Sequence, residues 1–240
     1  MLSEIVRATP VSTIDEVLSI MTAIDDRLPD TDGVKWFNRL YLQVTRSVRQ
    51  AVAGTSFHDS RFMTELDVVF ANLYFAAIAV GDVDASRAPS AWRPLLRARS
   101  QRGIARVQFA LAGMNAHINR DLPQGIVQVF EHLGGDPTTD RTRRQDFDSV
   151  NELLDRVEGE VKRDFSVGLV GVVDTVGGRA DDAAAMFKVR VARAAAWTNA
   201  EVLWTLGATP SIRAAFFDTL DRSTGLAGRG LLTATGLGLV

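Results

Sequence analysis

A chain of 240 residues, 46% hydrophobic and 23% charged, is long enough to bury a core and is not composed like a disordered segment. Its 27 Lys and Arg against 29 Asp and Glu leave a formal net charge of -2, so it exerts no global attraction on nucleic acid or an anionic membrane. The lack of cysteine excludes disulfides, thiolate metal sites and a cysteine nucleophile, and suits a reducing compartment.

The N-terminal Met1-Leu2-Ser3-Glu4 lacks the basic-then-apolar order of a secretory signal. No run of roughly 20 apolar residues stands out as a membrane span. A cytoplasmic location without a transmembrane segment is therefore expected. Thr13 and Glu16 form a capping box that opens a first helix, ending near Leu28-Pro29-Asp30. Asp32 caps a second, in which Trp36, Phe37, Leu40, Tyr41, Val44, Val48 and Val52 recur at helical spacing until Gly54. A third covers 59–80, with Phe62, Leu66, Val69, Phe70, Leu73 and Tyr74 as its apolar residues. The stretch 81–94, rich in Asp, Ser and Pro, reads as a loop.

A fourth helix spans 104–120, and Pro123 opens another that Gly134-Gly135 closes. A basic run at 141–144 leads into a long helix over 147–176, broken by Gly177-Gly178. A helix over 181–206 follows, then one opened by Thr209-Pro210, and a Gly-rich apolar tail at 225–240. No alternating strand pattern lasts more than a few residues. The expected architecture is an all-α, single-domain bundle of eight or nine helices over 1–240.

Several polar residues fall on faces that should be apolar. In the fourth helix Ala110, Gly113, Met114, His117 and Asp121 share one face by three- and four-residue spacing. The small residues on it allow close approach of a neighbour. Gln108, Asn115 and Asn119 form a stripe beside it. An inward His with an Asp one turn later can share a metal, or the carboxylate can fix the imidazole tautomer for proton transfer. The same pair can also be a self-satisfied network that only fixes packing. Asp25, Asp26 and Asp30 around the first turn can hold Mg²⁺ or form a solvated turn. Asp67 lies on an apolar face with Asn72 nearby, and a buried carboxylate needs a partner, for which arginine is the natural choice. Arg190, Arg193, Trp197, Glu201 and Trp204 are spaced to supply that partner, or to offer a cation and an indole wall to a ligand.

The segments Ala23-Ile24-Asp25-Asp26-Arg27-Leu28-Pro29, Gly33-Val34-Lys35-Trp36-Phe37-Asn38, Leu66-Asp67-Val68-Val69-Phe70-Ala71-Asn72-Leu73-Tyr74-Phe75 and Gly113-Met114-Asn115-Ala116-His117-Ile118-Asn119-Arg120-Asp121-Leu122-Pro123 resemble a bacterial all-helical family known only as a domain of unknown function. That resemblance implies a helical fold and supplies no catalytic residues. His117-Ile118-Asn119-Arg120-Asp121-Leu122-Pro123-Gln124 is similar to the His-x-x-x-Asp-x-x-Gln segment of the zinc-dependent phospholipase C and nuclease superfamily, which implies zinc ligation by His117 and Asp121. Here Val127 stands where that segment places another histidine, and the chain holds only His58, His117 and His132. Asp25-Asp26-Arg27-Leu28-Pro29-Asp30 is similar to the aspartate-rich motif of class I terpene cyclases, which implies Mg²⁺ and a substrate diphosphate.

The function these residues favour is metal-assisted chemistry on a phosphorylated or lipid-like small molecule, with a divalent Mg or Zn ion. Its catalytic residues would be His117, Asp121 and Asp67. The metal ligands would be His117, Asp121, Asp25 and Asp26. Asn115, Asn119, Asn72, Arg193 and Trp197 would line the substrate pocket. The alternatives are a non-catalytic carrier of an apolar ligand and an interaction module with structural polar networks. No nucleic-acid partner is expected.

Overall fold

Thr13 opens the first long helix as its sequence directs. Its hydroxyl accepts from the Glu16 amide at 3.2 Å while the Glu16 carboxylate accepts from the Thr13 amide at 3.1 Å, two otherwise orphaned donors satisfied together. The computed structural model describes residues 2–6, 10–54, 56–167 (backbone only from 155) and 189–233. The α-helices are α1 (Leu2–Ile5), α2 (Ile14–Arg27), α3 (Gly33–Ala53), α4 (Ser60–Val83), α5 (Arg93–Ala98), α6 (Arg106–Ala116), α7 (Leu122–Leu133), α8 (Arg141–Val167), α9 (Val189–Thr205) and α10 (Pro210–Leu231). There is no strand among the described residues. The all-α architecture is as expected, and nine of these helices are longer than one turn.

Two apolar clusters organise the packing. The first gathers Met21 and Ile24 of α2, Phe37 and Tyr41 of α3, Tyr74 and Ile78 of α4, Trp92, and Phe109 of α6. The second gathers Phe62 and Leu66 of α4, Ile126 and Phe130 of α7, Phe147 of α8, and Trp197 of α9. Helices α3 and α4 contribute to both, and the half-buried Phe70 and Met114 pack against both. α3 and α6 approach closely because Gly113 has no side chain: a Cβ there would lie 2.3 Å from Phe37 Cγ.

Between α6 and α7 the sequence suggests a break, and the structure has none. Residues His117–Asp121 form a π-helical turn, in which the Leu122 amide donates to the His117 carbonyl five residues back. Pro123 supplies the reason. It has no amide to donate, and its ring would clash with the carbonyl four residues earlier in a regular helix. A wider turn relieves that clash while the helix axis continues.

Other boundaries also shift. α4 runs to Val83, a 3-10 turn (Ala85–Arg87) lies within the stretch read as loop, and the short α5 begins at its end. Gly225, Gly228 and Gly230 lie inside α10, which continues to Leu231, and the part of the expected tail from 234 onward lies outside the described residues. Gly225 is a point of close approach, where a Cβ would lie 2.4 Å from the Ser90 carbonyl oxygen. The break expected at Gly177-Gly178 lies outside the described residues. By length and composition α4 could cross a membrane, with a mean hydropathy of 1.6 over an 18-residue stretch, although the sequence reading found no such run. In the fold 44% of that stretch is buried, and Phe62, Leu66, Tyr74 and Ile78 of α4 belong to the two clusters.

Candidate functional site

The π turn carries the most unusual side chains. It lies where the chain passes from the first apolar cluster, which holds Ala116, to the second, which holds Ile118. A π turn is itself a feature often found at functional sites. His117 is only 2% exposed and Asp121 fully buried. The Asp121 carboxylate accepts from Trp92 Nε1 at 3.0 Å and from Arg120 Nη1 at 2.6 Å. Its Oδ2 also lies 3.1 Å from His117 Nδ1. With the carboxylate accepting, Nδ1 must carry the imidazole proton. Burial holds the His117 pKa below its ordinary value of 6.5, a shift that Asp121 opposes in part. The ring is therefore neutral, and Nε2 presents a lone pair. Nε2 is buried and has no hydrogen-bond partner among the described residues.

Aromatic rings enclose the imidazole. Phe70 of α4 stacks on it with ring centres 3.4 Å apart and planes 5° from parallel, and Tyr41 of α3 meets it edge-on at 4.5 Å. Phe37, Tyr74 and Trp92 complete the enclosure at 5.6, 6.0 and 6.0 Å. The Tyr41 hydroxyl and Thr45 Oγ1, one helical turn apart, are buried without well-formed hydrogen bonds among the described residues. Burial first, then the charges of Asp67 and Asp121, push the Tyr41 hydroxyl well above its ordinary pKa.

Asp67 is also buried, and among the described residues no arginine pairs with it. Its Oδ2 has no partner among the described residues, and burial pushes its pKa up to about 7. The cost of a buried charge explains the shift: with no cation beside it among the described residues, the group answers by holding its proton.

Arg120 extends the network outward. Its Nε lies 3.2 Å from Asp221 of α10, whose carboxylate accepts from the amides of Ser90 and Ala91 at 2.8 and 3.0 Å. The dyad is thus tied to the start of α5 and to the last helix.

Residues 14–234 match a family described as a family of unknown function, DUF5995. The chain belongs to that family. No curated protein and no solved structure matches it.

In this DUF5995 chain the residues singled out from sequence divide into groups. His117 and Asp121 meet directly, and Asp67 lies close enough to influence Tyr41 beside them. Asn119 donates to Asn115 at 3.1 Å, and Asn115 donates to the Thr224 carbonyl at 2.9 Å, so this pair fastens α10 to α6. Asn72 makes two 2.9 Å hydrogen bonds to the backbone of Val11. Arg193 donates to the Phe147 carbonyl at 2.6 Å and to Asn151 at 2.9 Å, with its guanidinium 4.0 Å from the Phe147 ring. Trp197, in the second cluster, donates to Glu201 at 3.0 Å. These polar groups are occupied by contacts within the protein.

The proposed metal set is not assembled. Asp25 pairs with Arg39 at 2.8 Å, Asp26 is exposed, and Asp30 pairs with Lys35 at 3.0 Å beyond the end of α2. His58 and His132 pair separately with Asp146 and Glu65. Among the described residues no group of three or more His, Asp and Glu is placed to hold a metal. The sequence reading missed Trp92, Arg120 and Asp221. Trp92 lay in an apparent loop. Asp221 is distant in sequence, and only the fold brings it to Arg120.

Proposed function

We propose that this protein is a cytoplasmic enzyme of small-molecule metabolism in which His117 acts as a general base. The observation that supports this most is the neutral His117, held by Asp121 through Nδ1, with a buried and unpaired Nε2. An unmet buried acceptor costs roughly 1–3 kcal/mol, and such groups cluster where function has displaced stability. Nε2 would take a proton from water or from a substrate hydroxyl, and Asp121 would stabilise the imidazolium so formed. The Tyr41 hydroxyl would donate to charge developing on the substrate. The apolar walls of Phe37, Phe70 and Trp92 suit a lipid-like or otherwise apolar body carrying an ester or phosphoester. No step is routed through Mg²⁺ or Zn²⁺, because the described residues do not supply a ligand set.

A second reading, a structural network that only locks the π turn, is favoured by the near-complete burial of His117. One experiment separates the two. Wild type and His117→Gln are assayed on p-nitrophenyl phosphate, bis(p-nitrophenyl) phosphate and p-nitrophenyl acyl esters, beside elemental analysis of both proteins. The enzyme reading expects turnover of at least one substrate class and a loss of roughly 10²–10⁴-fold in the folded variant. No turnover by the wild type, or equal turnover by both, would contradict it. A stoichiometric metal lost with His117 would instead restore the metal-assisted form.

A further inference from the structure

Away from the dyad, α5 and the C-terminal part of α10 border a cleft of about 550 Å³, within the range that holds small organic ligands. Four arginines line it: Arg93 and Arg97 from α5, and Arg222 and Arg229 from α10. On a chain of formal net charge -2, this is a local concentration of positive charge. One of the four is neutralised, since Arg222 pairs with Asp218 at 2.8 Å. Arg93 is anchored by donating Nε to the Ala88 carbonyl at 2.8 Å, which fixes the side chain without cancelling its charge. Arg97 and Arg229 are exposed and make no close ion pair among the described residues, although the charge of Arg97 acts on Asp84.

Guanidinium groups that line one cleft repel, and a group only partly compensated is stabilised by an anion that several can share. The rest of the wall joins the polar Ser90 and Gln101 to an apolar strip of Pro94, Ala98, Gly225 and Leu232. An inorganic ion would make no use of that apolar strip, whereas an organic anion could rest on it. We propose that this cleft binds a small organic phosphate, with the phosphate held by Arg93, Arg97 and Arg229 and an apolar body resting on Pro94 and Leu232. The proposal goes beyond the His117 reading and holds whether or not that residue is catalytic.

The test is calorimetric titration of the full chain with phenyl phosphate, inorganic phosphate, benzyl alcohol and phosphatidylserine vesicles. Phenyl phosphate is expected to bind one-to-one, more tightly than inorganic phosphate, and to weaken with added salt. Arg97→Ala and Arg229→Ala should each weaken it about tenfold, the order of one charge-assisted contact. Both side chains are exposed, so neither change should disturb folding. Arg213→Ala, on α10 and paired with Glu131, should leave binding unchanged. No binding of phenyl phosphate, equal binding of inorganic phosphate, or equal affinity in Arg97→Ala and Arg229→Ala would overturn the proposal. Binding of the vesicles without phenyl phosphate would overturn it too, and would mark the arginines as a membrane-facing patch.

Discussion

Asp67 gives the protein a pH dependence opposite to that of most carboxylates. Its pKa is about 7 in the fold against an ordinary 3.8. Between those values the folded chain keeps a proton that the unfolded chain has released, so stability falls as pH rises. The full loss, reached above about pH 7, is roughly 4 kcal/mol. Asp67→Asn removes this titration. Thermal unfolding across pH should show the variant melting above the wild type at about pH 8, with the difference disappearing below about pH 4. A variant that melts lower at the alkaline end would show that the carboxylate has a stabilising partner. His117 works in the other direction. Its folded pKa lies below 6.5, so its contribution is present above that value and is lost as pH falls toward the folded pKa.

Phe70 governs access to the imidazole, because it stacks on one face of His117 while remaining half-buried itself. His58 and His132 have side chains 70% and 66% exposed. Diethyl pyrocarbonate should therefore acylate those two first and His117 last, as read by peptide mass mapping. Phe70→Leu should speed modification of His117 several-fold and leave the other two unchanged. Equal protection of His117 in the variant would show that the ring is not what covers it. At this scale the sequence revealed the His117–Asp121 pair, because four-residue spacing on a helix puts the two side chains together. It did not reveal Tyr41, whose place in an apolar stripe made it look like core. It misled on Asp67, where pairing with an arginine was expected and protonation takes its place.

At the scale of elements, three glycines separate close packing from simple helix propensity. An Ala side chain at Gly113 would meet the Phe37 ring, and one at Gly225 would meet the Ser90 backbone, whereas one at Gly230 would meet nothing within 4 Å. Gly113→Ala and Gly225→Ala are expected to destabilise by roughly 1–3 kcal/mol each. Gly230→Ala, inside α10, should stabilise by up to about 1 kcal/mol through helix propensity alone. Chemical denaturation measures all three, and a common sign would refute the packing account. The capping box at Thr13 and the cap at Asp32 were legible because they are local. The run from α6 into α7 was not: proline normally signals a stop, and the π turn that carries the helix through it has no sequence signature of its own. The glycines of α10 looked like a tail because composition does not distinguish flexibility from close approach.

Across the whole molecule, the two apolar clusters meet at the π turn, and most of the unpaired polar groups lie at that junction. Asp67 and His117 each leave a buried atom unmet there among the described residues, and Tyr41 and Thr45 make no well-formed hydrogen bond, while Arg193, Trp197 and the asparagines elsewhere are satisfied. That contrast is the basis for placing function at His117 instead of along every polar face the sequence offered. Helix order in space decided it, and helix order is not encoded in periodicity. The central claim is that His117 is a neutral base with its proton on Nδ1 and a free lone pair on Nε2. Long-range ¹H–¹⁵N NMR of the imidazole ring tests it most directly. A single Nδ1-protonated tautomer at neutral pH, titrating only below the ordinary histidine range, is the predicted result. An Nε2-protonated ring, or ordinary titration near the value of a solvent-exposed histidine, would contradict it.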